Sequence, residues 1–168
     1  MIYLENYEFP EVYVEGVKSD YYIVETGSGE YKFSREPIGR FFGHIIYEEV
    51  VDKALDLVEA IFKRAVIVVP KFRGNVDLDA FLVEKGTKNC LVEVKSIHPY
   101  VFVKEGDKVD LHDKIAYMVT GKGEVRVYKS PCKGLVLLVV NFPWEKPERY
   151  LIVVVGENDV RRIKIRRD

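Results

Sequence analysis

The chain has 168 residues, 48% hydrophobic and 32% charged, enough for one domain or two small ones around a packed core. Its 26 basic and 27 acidic residues leave a formal charge of -1. That balance excludes disorder as the main state, and it excludes a global positive field to hold nucleic acid or an anionic membrane. No apolar run approaches the ~18 residues of a membrane span, and Met1-Ile2-Tyr3-Leu4-Glu5-Asn6 has no signal-peptide pattern, so the chain reads as cytoplasmic. The absence of Gln beside much Lys, Glu, Val and Ile is the bias of a thermophile protein.

Residues 1–35 read as short strands. Glu11-Val12-Tyr13-Val14-Glu15 alternates polar and apolar residues, and Tyr21–Glu25 and Glu30–Phe33 flank a Gly-rich loop as a β-hairpin. Ser34 and Pro37 have the form of a helix start, with the helix ending near Gly43. From Tyr47 to Arg64, Val50, Val51, Ala54, Leu55, Val58, Ile61 and Phe62 recur at helical spacing opposite a charged face, which predicts one long helix over 47–64. Ala65–Val69 is a buried strand ending at Pro70. Beyond Ala80 the pattern is almost wholly β. Ala80–Glu84 and Cys90–Lys95 have the look of a hairpin, and six further strands follow at roughly ten-residue spacing, as in a small barrel or sandwich. The reading is α+β, with an N-terminal α+β domain over 1–85 and an all-β C-terminal domain over 86–168. Cys90 and Cys132 make no CxxC and no metal-ligand spacing with His44, His98 and His112; they read as two small buried thiols, and His44 and His98 as lone side chains.

The β half contains a weak duplication. Val94-Lys95-Ser96-Ile97-His98-Pro99-Tyr100-Val101 is echoed by Tyr128-Lys129-Ser130-Pro131-Cys132-Lys133-Gly134-Leu135-Val136. The stretch from Val103-Lys104-Glu105-Gly106-Asp107-Lys108-Val109 through Gly121-Lys122-Gly123 to Ser130–Val136 resembles a biotinyl/lipoyl carrier domain, over residues 90–156. The resemblance implies a barrel-sandwich hybrid of two pseudo-symmetric halves, with the acceptor lysine at the tip of the joining hairpin. The matching position is Lys122, where covalent biotin or lipoate would attach. Glycine on both sides suits a tight turn. Biotin carriers place methionines there and lipoyl carriers an acidic residue before the lysine; the departure from both patterns predicts an unmodified Lys122. The whole chain also resembles an uncharacterised archaeal protein family grouped with this fold, which brings no activity with it.

A competing pattern is the outline of a restriction-endonuclease-like site. Asp79, in Asn75-Val76-Asp77-Leu78-Asp79, precedes Glu93-Val94-Lys95 across a hairpin signal. Two carboxylates there would hold Mg²⁺ and Lys95 would stabilise phosphate charge, with Glu48, Glu49 or Asp52 as a further ligand. The absence of a helix soon after Lys95 weighs against it. The Phe142-Pro143-Trp144 loop reads as a barrel cap or partner-binding knob, and Val160–Arg167 as an edge strand blunted by charge. No nucleophile, base and oxyanion donor stand in recognisable order. The sequence therefore favours a non-enzymatic carrier-like or protein-interaction module, with a protein partner or a homodimer; the alternative is the Mg²⁺-dependent nuclease.

Overall fold

The computed structural model describes residues 9–27, 29–72 and 77–167. The readings of residues 1–6, Ser28 and residues 75–76 lie outside the described residues. Alternating runs form β1 (Phe9–Glu15), β2 (Tyr22–Thr26), β3 (Glu30–Ser34) and β4 (Phe41–Ile45). A 3₁₀ turn at Tyr47–Glu49 leads into α1 (Val50–Ala54), then two-residue strands β5 (Leu55–Asp56) and β6 (Ile61–Phe62). Next come β7 (Val66–Phe72) and β8 (Leu78–Val83). The following strands are β9 (Cys90–Ser96), β10 (Tyr100–Val101), β11 (Lys108–Val109), β12 (Lys114–Val119), β13 (Val125–Lys129), β14 (Gly134–Phe142) and β15 (Glu148–Val155). The last strand is β16 (Arg161–Arg166).

The α+β class is overturned: the described residues are mostly β, with a single short helix of 8 residues formed by the 3₁₀ turn and α1, Tyr47–Ala54. The helix expected over 47–64 ends at Ala54, where Leu55 turns extended (φ -107°, ψ 134°). The Asp56 carboxylate then accepts the Val58 and Glu59 N–H groups at 3.1 and 3.0 Å, a local turn that competes with helical bonding. Phe62 exchanges backbone bonds with Gly86 and Thr87 instead. The apolar spacing is real, but Leu55 and Phe62 are buried from strands while Val58 is 92% exposed. Ser34 likewise caps no helix; its hydroxyl bridges the Glu36 N–H and C=O in a tight turn before β4.

Contact density divides the chain into two units, one ending at Thr87 and resuming at Val160, the other spanning Lys88–Asp159. In the first, seven strands close a barrel in the order β1-β4-β2-β3-β16-β8-β7. All its pairings are antiparallel except β16 with β3. Each strand contributes to one interior cluster that includes Tyr13, Ile23, Tyr31, Phe42, Ile67 and Ile165, as the period-two alternation of a filled small barrel requires. Val160–Arg167, read as an edge, therefore supplies an interior barrel strand, with Ile165 inward and charged side chains alternating outward. Residues 160–168, grouped in sequence with the C-terminal domain, are counted in the barrel unit. The expected Ala80–Lys95 hairpin is also absent, because β8 pairs with β7 and β16, and β9 with β15.

The second unit has a three-stranded sheet, β10-β12-β13, and a four-stranded sheet, β11-β14-β15-β9. Its core joins Val92, Val94, Ile115, Ala116, Val136 and Ile152. The two serines of the duplicated segment, Ser96 and Ser130, are both buried. The Ser96 hydroxyl ties β9 to β12 through the Val119 C=O and N–H at 2.8 and 2.9 Å, and that of Ser130 donates to the Cys132 C=O at 2.6 Å. Cys90 and Cys132 are not thiols but a disulfide, with Cα atoms 6.7 Å apart and a sequence separation of 42. Closing a loop of that length contributes about 4 kcal/mol by the chain-entropy model. No helix among the described residues is long and apolar enough to cross a membrane.

Candidate functional site

The hairpin of β12 and β13 carries Lys122 at its tip. Thr120 accepts the Gly123 N–H at 2.9 Å and donates its own N–H to the Glu124 C=O at 2.8 Å, while its hydroxyl accepts the Glu124 N–H at 3.1 Å. Gly123 takes φ +81°, the left-handed position of a three-residue hairpin loop. Gly121 needs no such conformation and has open space around its Cβ position, so only one of the two glycines is demanded by the turn. Behind the tip, Tyr100, Tyr117 and Val127 stand in register across the three strands. Tyr100, Phe102 and Tyr117 touch ring to ring, the Phe102–Tyr117 pair at 4.4 Å between centroids. All are solvent-exposed, as is Val125.

The residues of the nuclease pattern do not form one strand pair. Asp79 lies on β8, 4.0 Å from Lys164, and Glu93 on β9, 3.8 Å from Arg149. Glu93 and Lys95 do share one exposed face of β9, alternating with buried Val92, Val94 and Ser96. Among the described residues there is no group of three or more His, Cys, Asp or Glu that could hold a metal ion. Arg149 organises the Asn141–Arg149 loop: it pairs with Glu145 at 3.1 Å and lies 4.2 Å over the Phe142 ring, leaving Trp144 exposed.

A second polar constellation, which sequence reasoning missed, occupies one end of the barrel. Glu11 on β1 is 8% exposed. Its Oε1 accepts from the Tyr13 hydroxyl at 2.7 Å, and its Oε2 accepts from the Tyr21 hydroxyl at 2.9 Å and from His44 Nε2 at 3.0 Å. The Tyr21 and His44 rings stack at 4.6 Å and 16°. Gly43 lets the Val17–Ser19 segment cross beside β4 here, because a Cβ would strike the Val17 backbone. Burial alone would push the Glu11 carboxyl up, but the hydrogen bonds from His44, Tyr13 and Tyr21 outweigh it and hold the group below its ordinary value. Burial and the Glu11 charge push the Tyr13 and Tyr21 hydroxyls well above theirs. Beside this network opens a cavity of about 410 Å³, lined by Asp20, Tyr21, Phe33, Ser34, Arg35 and Arg167.

The other end is closed by Arg40, which contacts Glu84 at 2.5 Å, Glu15 at 2.6 Å and Glu25 at 3.8 Å, with its guanidinium 5.0 Å over the Phe42 ring. Tyr31, reached by Arg161 and donating to Glu25, completes this closure. The alternating run Glu11–Glu15 is the sequence signal that both ends share. Its polar positions serve the barrel ends, while Val12 and Val14 are fully buried on the opposite face of the strand.

The described chain is thus a mostly β protein of two units, a closed barrel and a two-sheet unit. It belongs to the family described as "Uncharacterized protein conserved in archaea (DUF2118)", whose model matches residues 7–157. No curated protein matches it significantly.

Proposed function

We propose that the chain is a non-enzymatic, carrier-like interaction module. Its second unit is read as a biotinyl/lipoyl-type domain that presents an unmodified Lys122 hairpin to a protein partner or to a second copy of the chain. The observation that carries this reading is the pairing of an exposed lysine tip with an exposed aromatic strip, Tyr100 and Tyr117 on the same sheet and Phe102 just past the end of β10. Exposed aromatic clusters of this kind serve as anchors in protein interfaces. The Lys- and Glu-rich composition and the archaeal family fit a cytoplasmic protein of a heat-adapted archaeon.

Intact-mass measurement and peptide mapping of protein from its native host test the hairpin. The expected mass is unmodified. A biotinyl or lipoyl adduct on Lys122 would make the domain a working carrier, and one on another lysine would overturn the alignment of the halves. Light scattering at high concentration tests the second copy: self-association should fall in Tyr117→Ser, and a clean monomer removes the homodimer. Mg²⁺-dependent cleavage of DNA or RNA abolished by Glu93→Ala would replace this reading with the nuclease.

A further inference from the structure

We infer that the free edge of β13 receives an extended acidic segment of a partner protein, added as a further strand to the sheet β10-β12-β13. The inference rests on reading this unit as an interaction module, and it names the chemistry of the partner. The hydrogen-bond phase of the strand comes first. β13 pairs with β12 on one side only. At its start the Glu124 C=O accepts from the Thr120 N–H. Just past its end, the Ser130 C=O accepts from His112 and the Ser130 N–H donates to Asp113, in the segment that leads into β12. Glu124 and Ser130 therefore both turn their backbone groups to the β12 side. Because the backbone of a strand alternates, Arg126 and Tyr128 do the same, and the N–H and C=O groups of Val125, Val127 and Lys129 face outward. Among the described residues, no backbone group of another segment reaches these outward groups.

Side chains and charge decide what kind of strand fits. Val125 is 64% exposed, and Val125, Val127 and Lys129 share the sheet face of Tyr117 and Tyr100. A strand laid on this edge would set alternate apolar side chains beside the two valines and continue the aromatic strip. Between residues 114 and 129 stand Lys114, Lys122, Arg126 and Lys129, all exposed, against one carboxylate, Glu124. Glu124 lies 3.9 Å from Arg126, and the neighbouring Asp113 carboxylate accepts the Asp110 N–H at 2.7 Å. Lys114 and Lys129 are direct cross-strand partners, and among the described residues neither has an ion pair. Like charges directly opposite are unfavourable, and a carboxylate beside them relieves that cost. A second copy of β13 would bring the same cations to the same edge, and lysine on an edge opposes such pairing. A nucleic acid would meet the cations, but its phosphates only accept hydrogen bonds and leave the outward C=O groups unpaired. A peptide strand that alternates apolar and acidic residues supplies both the donors and the charge.

The test uses the full chain and a blocked peptide, Glu-Thr-Val-Glu-Val-Thr-Glu, followed by heteronuclear NMR and amide hydrogen exchange. In the free protein the amides of Arg126 and Tyr128 should exchange slowly and those of Val125, Val127 and Lys129 fast. The peptide should bind saturably with Kd of about 1 mM or tighter and slow exchange at the outward amides. Lys in place of each Glu of the peptide should weaken binding at least about tenfold, and Lys129→Glu in the protein should do the same. Val127→Pro removes an outward N–H, a change that an edge strand tolerates, and should abolish binding. No saturable binding, equal binding of the Lys peptide, unaltered exchange at the outward amides, or tighter binding of oligothymidylate would each overturn the inference. Self-association that falls in Tyr117→Ser, without peptide binding, would sink the acidic strand alone and leave the interaction module standing. Peptide binding at the edge together with an adduct on Lys122 would support this inference while replacing the unmodified hairpin with a working carrier.

Discussion

The two ends of the barrel solve one problem with opposite charge. At the closed end a cation, Arg40, is surrounded by Glu15, Glu25 and Glu84; at the open end an anion, Glu11, is surrounded by Tyr13, Tyr21 and His44. One strand, β1, supplies a carboxylate to each end, with Tyr13 between them. The environments differ more than the contact lists do. The Arg40 and Glu84 side chains are 28% and 53% exposed, so water and salt screen their pairing, whereas Glu11 is 8% exposed. A screened ion pair tolerates loss of a partner. A buried carboxylate has only its hydrogen bonds to replace water. The open end, with its cavity, is therefore the end whose order depends on exact chemistry.

The largest expected effect follows directly. Glu11→Leu keeps volume but leaves two tyrosine hydroxyls and an imidazole N–H without their acceptor, and should cost about 3 kcal/mol. Arg40→Met keeps the stem against Phe42 and removes only screened pairs, for about 1 kcal/mol. Urea denaturation of both variants checks the ratio. Equal losses would break the comparison.

The open end should also set the pH limits of the barrel. The folded Glu11 carboxyl lies below its ordinary 4.5, so its stabilisation is complete above that pH and is lost as pH falls through the depressed value. The Tyr13 and Tyr21 hydroxyls lie above their ordinary 10.0, so their contribution is complete below pH 10 and declines as pH rises beyond it. Arg40, held above the usual arginine range chiefly by its hydrogen bond to Glu84, stays charged throughout. Melting temperature against pH should fall on both sides, and Glu11→Gln should flatten the acid limb. An acid limb of unchanged steepness in that variant would assign it to other carboxylates.

The same contrast explains what could be read from sequence. The β2–β3 hairpin and the Lys122 turn are local, built from residues a few positions apart with Gly and Thr where the geometry needs them, and both were legible. The Glu11 network draws on β1, β4 and the residue before β2, so no spacing encodes it, and His44 read as a lone histidine. The helix over 47–64 failed for a related reason. Its apolar spacing fits a helix, yet the Asp56 turn and the pairing of Phe62 with Gly86 and Thr87 depend on partners that the period does not contain. Cys90 and Cys132 likewise carry no local sign of the disulfide that joins them.

The finest distinction lies within the open end. Oε1 of Glu11 has one donor among the described residues, Tyr13, while Oε2 has two, Tyr21 and His44. Tyr13→Phe should therefore strand a buried carboxylate oxygen and cost about 1.5 kcal/mol. Tyr21→Phe leaves Oε2 with His44 and keeps the ring stacked on the imidazole, so the loss should be about 0.5 kcal/mol. The order holds although the two hydroxyls sit at similar distances, 2.7 and 2.9 Å, because redundancy at the acceptor decides the cost rather than bond length. Paired urea titrations resolve the difference, and the combined variant should lose more than the sum of the two, since only His44 then faces the carboxylate. If Tyr21→Phe proves the costlier change, His44 does not hold Oε2 in solution, and the charge of Glu11 rests on the tyrosines alone.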